Sequence, residues 1–336
     1  MTSAIDNSNG RINFAQSIHN NRAWWESDAY MGQRVSPDAP IAEWHQAGLP
    51  WEVRKTPMQY TVADTVSTVD GKYVIYRDDT NAALGSASKQ YHIHTIAEIM
   101  DGLDRLCKAG DYRMNTLGSL NGGREIWGMV RTEANDKIAG EKFLRNIVVT
   151  TDFTASKPTR IFRTDIAVVC QNTLSWAMAS ADKVFKLSHR SAYDPETVIG
   201  DLGLVTADQE LFESEIELLA STRFEYSDLQ NFWDNLVLGD KKRDELTPEN
   251  RAKIDDIIGG IEDSYRYAPG GIHHRDRVES RVGTLHGATQ AVYHYADHKM
   301  LMTQAGTPKT NALSRSLFGD ASKLKMKAHT MALSEI

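Results

Sequence analysis

The stretch TLGSLNGGREIWGMVRT, residues 116–132, decides how the middle of the chain is read. Two runs of strand-forming residues flank Asn121, Gly122 and Gly123, and Arg124 follows directly. Asn and Gly both tolerate positive φ, so the pattern predicts a tight hairpin turn. A phosphate-cradling P-loop ends in Gly-Lys-Ser/Thr, because the lysine and hydroxyl engage phosphate and magnesium. Here Arg124 and Glu125 follow instead, and they lead into a strand, whereas a dinucleotide-binding turn leads into a helix. The expectation is a hairpin tip that presents arginine to something acidic.

Working outward, TIAEIMDGLDRLCKAG (95–110) places Ile96, Ile99, Leu103 and Leu106 at helical spacing and stops at Gly110. DGKYVIYRDD (70–79) and FLRNIVVTTDFT (143–154) read as strands. TRIFRTDIAVVCQNTLSWAMAS (159–180) begins extended. It then predicts a helix with Ile166, Val169, Cys170, Leu174 and Ala177 on one stripe, and Thr164 or Asp165 near its start. KVFKLSHR (183–190) alternates like an edge strand. After Pro195 the pattern turns helical, with Thr206 and Thr247 as N-caps and Pro248 at a first helical position. The fold class is therefore α+β: a mostly antiparallel β-sheet with packed helices, followed by a helical C-terminal section. The domain reading is 1–35 as a polar, loosely ordered lead-in, 36–192 as the α+β domain with basic hairpins, and 193–336 as a mainly helical, acidic section.

With 41% hydrophobic and 25% charged residues over 336 positions, the composition is that of an ordinary globular chain. The net charge of −7 argues against a uniformly basic DNA-coating protein. That average hides an asymmetry. Tyr112–Arg190 holds 12 Lys and Arg against 7 Asp and Glu, whereas Asp194–Ser264 holds 6 against 19. The two cysteines, Cys107 and Cys170, form no CxxC pair, which fits a reducing compartment. No apolar run approaches the roughly 20 residues that span a bilayer. The polar N-terminus lacks a signal-peptide core. The expected location is the cytoplasm of the host cell, with no membrane association.

The basic set carries the most information. Arg124, Arg131, Arg145, Lys157, Arg160, Arg163, Lys183, Lys186 and Arg190 fall in the strand-rich segment, with Trp127 and Phe162 among them. Cations beside aromatics on strands suit a groove that tracks a phosphate backbone and stacks bases. The alternative is that these charges pair with local carboxylates or with the acidic helices. His294 and His298 have the i, i+4 spacing of metal ligands, but the glutamate of an HExxH motif is absent. No Gly-x-Ser-x-Gly elbow is present. No cofactor is expected and no catalytic residue is assigned.

Three stretches together, GSLNGGREIWGMVR, RIFRTDIAVVCQNTLSWAM and LSRSLFGDASKLKMKAHTMAL, resemble a family of phage- and plasmid-borne proteins known as domain of unknown function 932. The resemblance runs from about Pro50 to Leu333, and Thr164 to Leu174 is its most specific part. It implies a mobile-element context and no particular reaction. The order of elements is also similar to that of Rad52-like single-strand annealing proteins, which form rings or filaments. That similarity is one of topology alone.

Three functional readings stand. In the first, the basic strands bind single-stranded DNA, and the protein anneals strands in recombination or replication as a homo-oligomer ring or filament. In the second, the acidic helices engage a host protein, as an anti-defence factor would. In the third, His294 and His298 belong to a metal-dependent enzyme.

Overall fold

The structure is a computed structural model. It describes residues 5–18, 32–110, 112–167, 172–174, 184–194, 196, 202–300, 315–316 and 319–336. The chain forms two compact units, and no single cut separates them. Residues 1–132, 146–163 and 182–205 make the first, and 133–145, 164–181 and 206–336 make the second. The boundary expected at 192/193 therefore falls inside the first unit. Three long strands of the central sheet each start in one unit and end in the other, so the sequence order of helices and strands does not follow the division.

The first unit is built on strands β1 (Phe14–Ser17), β2 (Gln33–Val35), β6 (Arg113–Leu120), β7 (Glu125–Ile138), β8 (Glu141–Asp152) and β9 (Thr159–Ala167). They lie in the order β9-β8-β7-β6-β1-β2, and β11 (Phe185–Leu187) pairs with β9. The β6–β7 pair is the expected hairpin, in antiparallel register with Gly118 opposite Trp127. Strands β1 and β2 run parallel, and β1 pairs antiparallel with β6. A second sheet holds β3 (Val53–Val62), β4 (Thr65–Arg77) and β5 (Ala83–Ser88) in that order. Pro57 sits in the edge strand β3, where a missing N–H is tolerated.

The helix read from 95–110 is α2 (Ile96–Ala109), which follows α1 (Ile41–Gly48). Thr95 and Glu98 form a reciprocal capping box at its start, and the chain leaves it at Gly110. Its buried face carries Ile96, Ile99, Leu103 and Leu106 as expected, joined by Met100. A Cβ on Gly128 of β7 would lie 2.3 Å from Leu103, so the helix presses directly on that strand. Trp44, Trp51, Ile75, Leu117 and Phe153 complete this core.

Two expectations change. The described part of the lead-in is built into the sheet: β1 is buried along its whole length, and Asp6 and Asn13 are buried as well. Their polarity is satisfied by hydrogen bonds and not by solvent. The helix expected to start at Thr164 or Asp165 does not begin there. β9 runs on to Ala167, and β10 (Asn172–Leu174) folds back on it, with Asn172 opposite Ala167 and Leu174 opposite Asp165. The β-branched content of this run favours the pleated surface over the apolar stripe. Cys170 and the rest of the expected helix lie outside the described residues.

The second unit packs α3 (Leu202–Ser221), α4 (Tyr226–Leu238), α5 (Pro248–Tyr267), α6 (Leu285–His294) and α7 (Asp320–Ser334). Phe143, Phe212, Trp233, Tyr265, Leu285 and Val292 are at its core. Thr247 caps α5 and Pro248 occupies the first turn, as read from sequence. Thr206 lies inside α3 and not at its start. No described helix is long and apolar enough to cross a membrane.

Candidate anion-binding groove

The Gly-rich turn at 121–123 is the tip of a hairpin. Asn121, Gly122 and Gly123 all have positive φ. The turn offers a carbonyl and not a nest of amides: Arg77 Nη1 donates to Gly122 O at 3.3 Å. A Cβ on Gly123 would come within 2.9 Å of the Arg77 side chain and 3.1 Å of Trp51. The double glycine therefore lets the turn close over a buried arginine. That guanidinium lies 4.1 Å over the Trp51 ring. It pairs with Asp6 at 2.5 Å and with Asp79 through two nitrogens at 2.9 and 2.8 Å. Burial pushes the Asp6 carboxyl up, but hydrogen bonds from Ser8 and the charge of Arg77 outweigh it and hold the group below its ordinary range. This network anchors the fold.

The predicted basic residues divide into two groups. Arg131 is buried and donates to Asn146 at 2.8 Å and Asn115 at 3.2 Å. Arg163 is also buried. Arg145 pairs with Glu213 at 2.6 Å. Arg160 pairs with Glu125 at 2.8 Å, so the hairpin that carries Arg124 also supplies the carboxylate that occupies Arg160. Lys183 lies outside the described residues. Arg124 is exposed at the hairpin tip. Lys186 and Arg190 are exposed and pair with no carboxylate among the described residues.

The two aromatic candidates are corrected. Trp127 and Phe162 are each 1% exposed. Trp127 stacks on Phe14 with ring centroids 5.7 Å apart. Rings enclosed in this way offer no face to a base, because residues 125–131 of β7 and 161–163 of β9 are buried in succession and not on alternate residues alone.

What the structure brings together is Lys157, Lys186 and Arg190. They line an open groove of ≈ 720 Å³ with Tyr91, His189 and the hydroxyl of Ser188. Lys157 is half-exposed and sits 3.1 Å from Glu125 and 3.9 Å from Asp152, so part of its charge is answered. The wall is a ladder of rings. Tyr91 stacks on His189 at 4.6 Å, and His189 lies 4.2 Å from His94. His94 is held by Thr159 at 2.8 Å and the Ser191 carbonyl at 3.1 Å. Burial, and then the neighbouring His189, push His94 down to about 4, so it is neutral at ordinary pH. Burial also lowers His189 and raises the Tyr91 hydroxyl.

Residues 83–318 match the family model described as Domain of unknown function (DUF932). The chain belongs to this family. The matched segment of this DUF932 protein contains every residue that lines the groove. No curated protein and no solved structure matches the chain.

His294 and His298 lie with ring centroids 4.5 Å apart, on either side of the junction where α6 passes into a π-turn at Tyr295–Lys299. His294 faces Ser264 at 3.2 Å. Among the described residues no three or more His, Cys, Asp or Glu converge on a point that could hold a metal ion. The Cys107 thiol is pushed up to about 11 by burial, away from nucleophilic use.

Sequence reasoning missed Tyr91 and His189. They are brought together by a backbone bond from His92 N to His189 O at 2.8 Å. That pairing spans almost a hundred residues. The local signal was only that the runs KQYHIH and KLSHR each carry histidine beside a hydroxyl residue and a cation.

Proposed function

We propose that this protein binds single-stranded DNA by seating its phosphate backbone in the groove, and that it serves strand annealing in recombination or replication of phage or plasmid DNA. The observation that carries this reading is the convergence of Lys157, Lys186 and Arg190 on one groove, two of them without a carboxylate partner among the described residues. Cations left open in this way gain most from a phosphate, through release of its counterions. The groove has the volume of small-ligand sites, about 300–1,000 Å³, which suits a short piece of strand. Tyr91 takes the stacking role first read for Trp127 and Phe162, an interaction worth about 1–3 kcal/mol per base. Arg124 extends the basic surface. Annealing further calls for several copies acting together, as a ring or filament.

The acidic helices favour this reading over a protein-directed one. Part of their charge is answered within their own unit: Arg243 pairs with Asp234 and Asp255, and Lys253 with Glu249.

The test is binding of a labelled single strand and the matching duplex over a salt series. The single strand should bind more tightly, and affinity should fall steeply with salt. Replacing Lys186 and Arg190 together with Ala should flatten the log–log salt slope by about 1.4, at about 0.7 for each phosphate no longer neutralised. No binding at low salt, or an unchanged slope in the double variant, overturns the proposal.

A further inference from the structure

His189 is placed oddly for a structural histidine. It is only 7% exposed, yet it lines the groove. Its Nδ1 lies 2.9 Å from the His92 carbonyl, so Nδ1 carries the hydrogen. The neutral ring then has a lone pair at Nε2, and that buried atom has no hydrogen-bond partner. A buried acceptor left open is costly. A phosphate oxygen cannot satisfy it, because both atoms would be acceptors. Protonation reverses this: Nε2 becomes a donor on a residue that lines the groove with Lys157, Lys186 and Arg190.

We infer that His189 is a fourth phosphate-contacting residue of the groove, and that a phosphate group binds there together with one proton taken up by its imidazole. This rests on the reading of the groove as a phosphate site.

The surroundings set the balance. From the segment after β5, Tyr91 stacks on the ring and His94 lies behind it. From the turn between β8 and β9, the Asp152 charge and the main chain of Lys157 favour the charged ring. Burial disfavours the charged ring while the groove is empty, and Lys186 and Arg190 on its own segment and Lys157 across the groove line the same space. An anion in the groove offsets that penalty by its opposite charge and a charge-assisted hydrogen bond. The proton balance is simple: solvent supplies H⁺ to Nε2, the ring becomes imidazolium, and no covalent bond of the ligand changes. His94 stays neutral over the working range, so one proton is expected and not two.

The linkage has a definite sign. Above the ligand-bound pKa of His189, affinity does not depend on pH through this group. As pH falls between the bound and the free value, affinity rises up to tenfold per unit, and below the free value it levels off.

The experiment uses the full chain and an unphosphorylated oligothymidine of about twenty nucleotides, whose diesters do not titrate between about pH 5.5 and 8. Calorimetry in two buffers of different ionisation heat counts protons taken up on binding. The wild type should take up close to one proton near the middle of that range. His189→Gln, which keeps a side-chain amide donor and cannot titrate there, should bind the strand with no uptake and a flat pH profile. Binding without proton uptake, or the same uptake in His189→Gln, overturns the inference and leaves the groove reading intact. The wild-type proton count decides the question even if the variant fails to fold. No binding at any pH overturns both. Competition with inorganic phosphate at fixed pH separates the sources: displacement assigns the seat to the phosphate group itself, and resistance assigns it to the backbone of a strand.

Discussion

The two units both bury paired charges, but they differ in what is left over beside a cavity. In the helical unit the buried basic side chains have partners. Arg281 and His286 share Glu141, the latter at 2.7 Å. Lys325 Nζ meets Asp297 at 2.7 Å and Ser316 at 3.1 Å. His329 bridges Glu215 and Tyr293, at 3.0 Å on each side. In the sheet unit Arg77 is enclosed in the same manner, Arg131 and Arg163 are buried and Arg160 is paired with Glu125, but Lys186 and Arg190 lie exposed beside a groove. A charge with a buried partner is used up in holding the fold. A charge without one, set next to a cavity, is available to a ligand. The difference directs the search for function toward the sheet unit, against the first impression made by the acidic helices.

The largest expected effect breaks the closed pattern. Glu141→Gln keeps the shape of the side chain and removes its charge, leaving Arg281 buried and unanswered. The loss should be about 3–5 kcal/mol in the denaturant unfolding of the helical unit. A smaller effect, below about 1 kcal/mol, would mean that solvent reaches Arg281 and that the unit is not closed. The carboxyl adds a pH signature. The Glu141 pKa is lowered from 4.5 to about 2: burial alone would raise it, but Arg281 and then His286 outweigh that. Its contribution is therefore complete above pH 4.5 and is lost as pH falls toward 2.

Behind the groove the sign is the same but the window differs. His94 is neutral in the fold, with its pKa moved from 6.5 to about 4. The unfolded chain takes up a proton below 6.5 and the folded chain does not, so stability falls with pH through that range. Between pH 7 and 5 this amounts to about 2 kcal/mol. Denaturant midpoints at the two values check it, and His94→Gln should flatten the difference. An unchanged pH dependence in that variant would place the titration elsewhere, with the buried His294, which is lowered further, to about 3, as the next to replace.

Gly123→Ala tests the hairpin turn that covers Arg77. Its φ of +91° is strained for any L side chain, and the new methyl meets Arg77 and Trp51. The expected cost is about 1–2 kcal/mol, read from thermal or denaturant unfolding. No change would show that the turn is free to move off the arginine.

How much of the fold was legible in the sequence follows from where the determining interactions lie. Helix α2 was readable because its apolar spacing, its Thr95–Glu98 box and its stop at Gly110 are all local. The hairpin at Asn121 was readable for the same reason, and so was Thr247 ahead of Pro248. β1 was not. Asp6, Asn13 and Gln16 look like solvent-facing residues, and only Arg77 and Ser119, distant in the chain, explain why Asp6 and Asn13 are buried. Trp127 and Phe162 were misjudged because strand alternation tells which face a residue takes, not whether both faces are covered. In the groove, Lys157, Lys186 and Arg190 were found by charge. Tyr91 and His189 were not, since nothing within either short run announces the other.

The smallest expected effect is the most discriminating one. Lys186→Ala and Arg190→Ala, singly or together, should change stability by no more than about 0.5 kcal/mol, because neither side chain pairs with a carboxylate among the described residues. Separating like charges around the groove can even offset the missing packing of their stems. The same substitutions should weaken binding of a single strand and reduce its salt dependence. A pair of changes that is silent in unfolding and strong in binding marks residues held for a ligand. If unfolding instead shows a loss comparable to that of Glu141→Gln, these cations are part of the structure, the contrast between the two units fails, and the groove loses its claim to be a binding site.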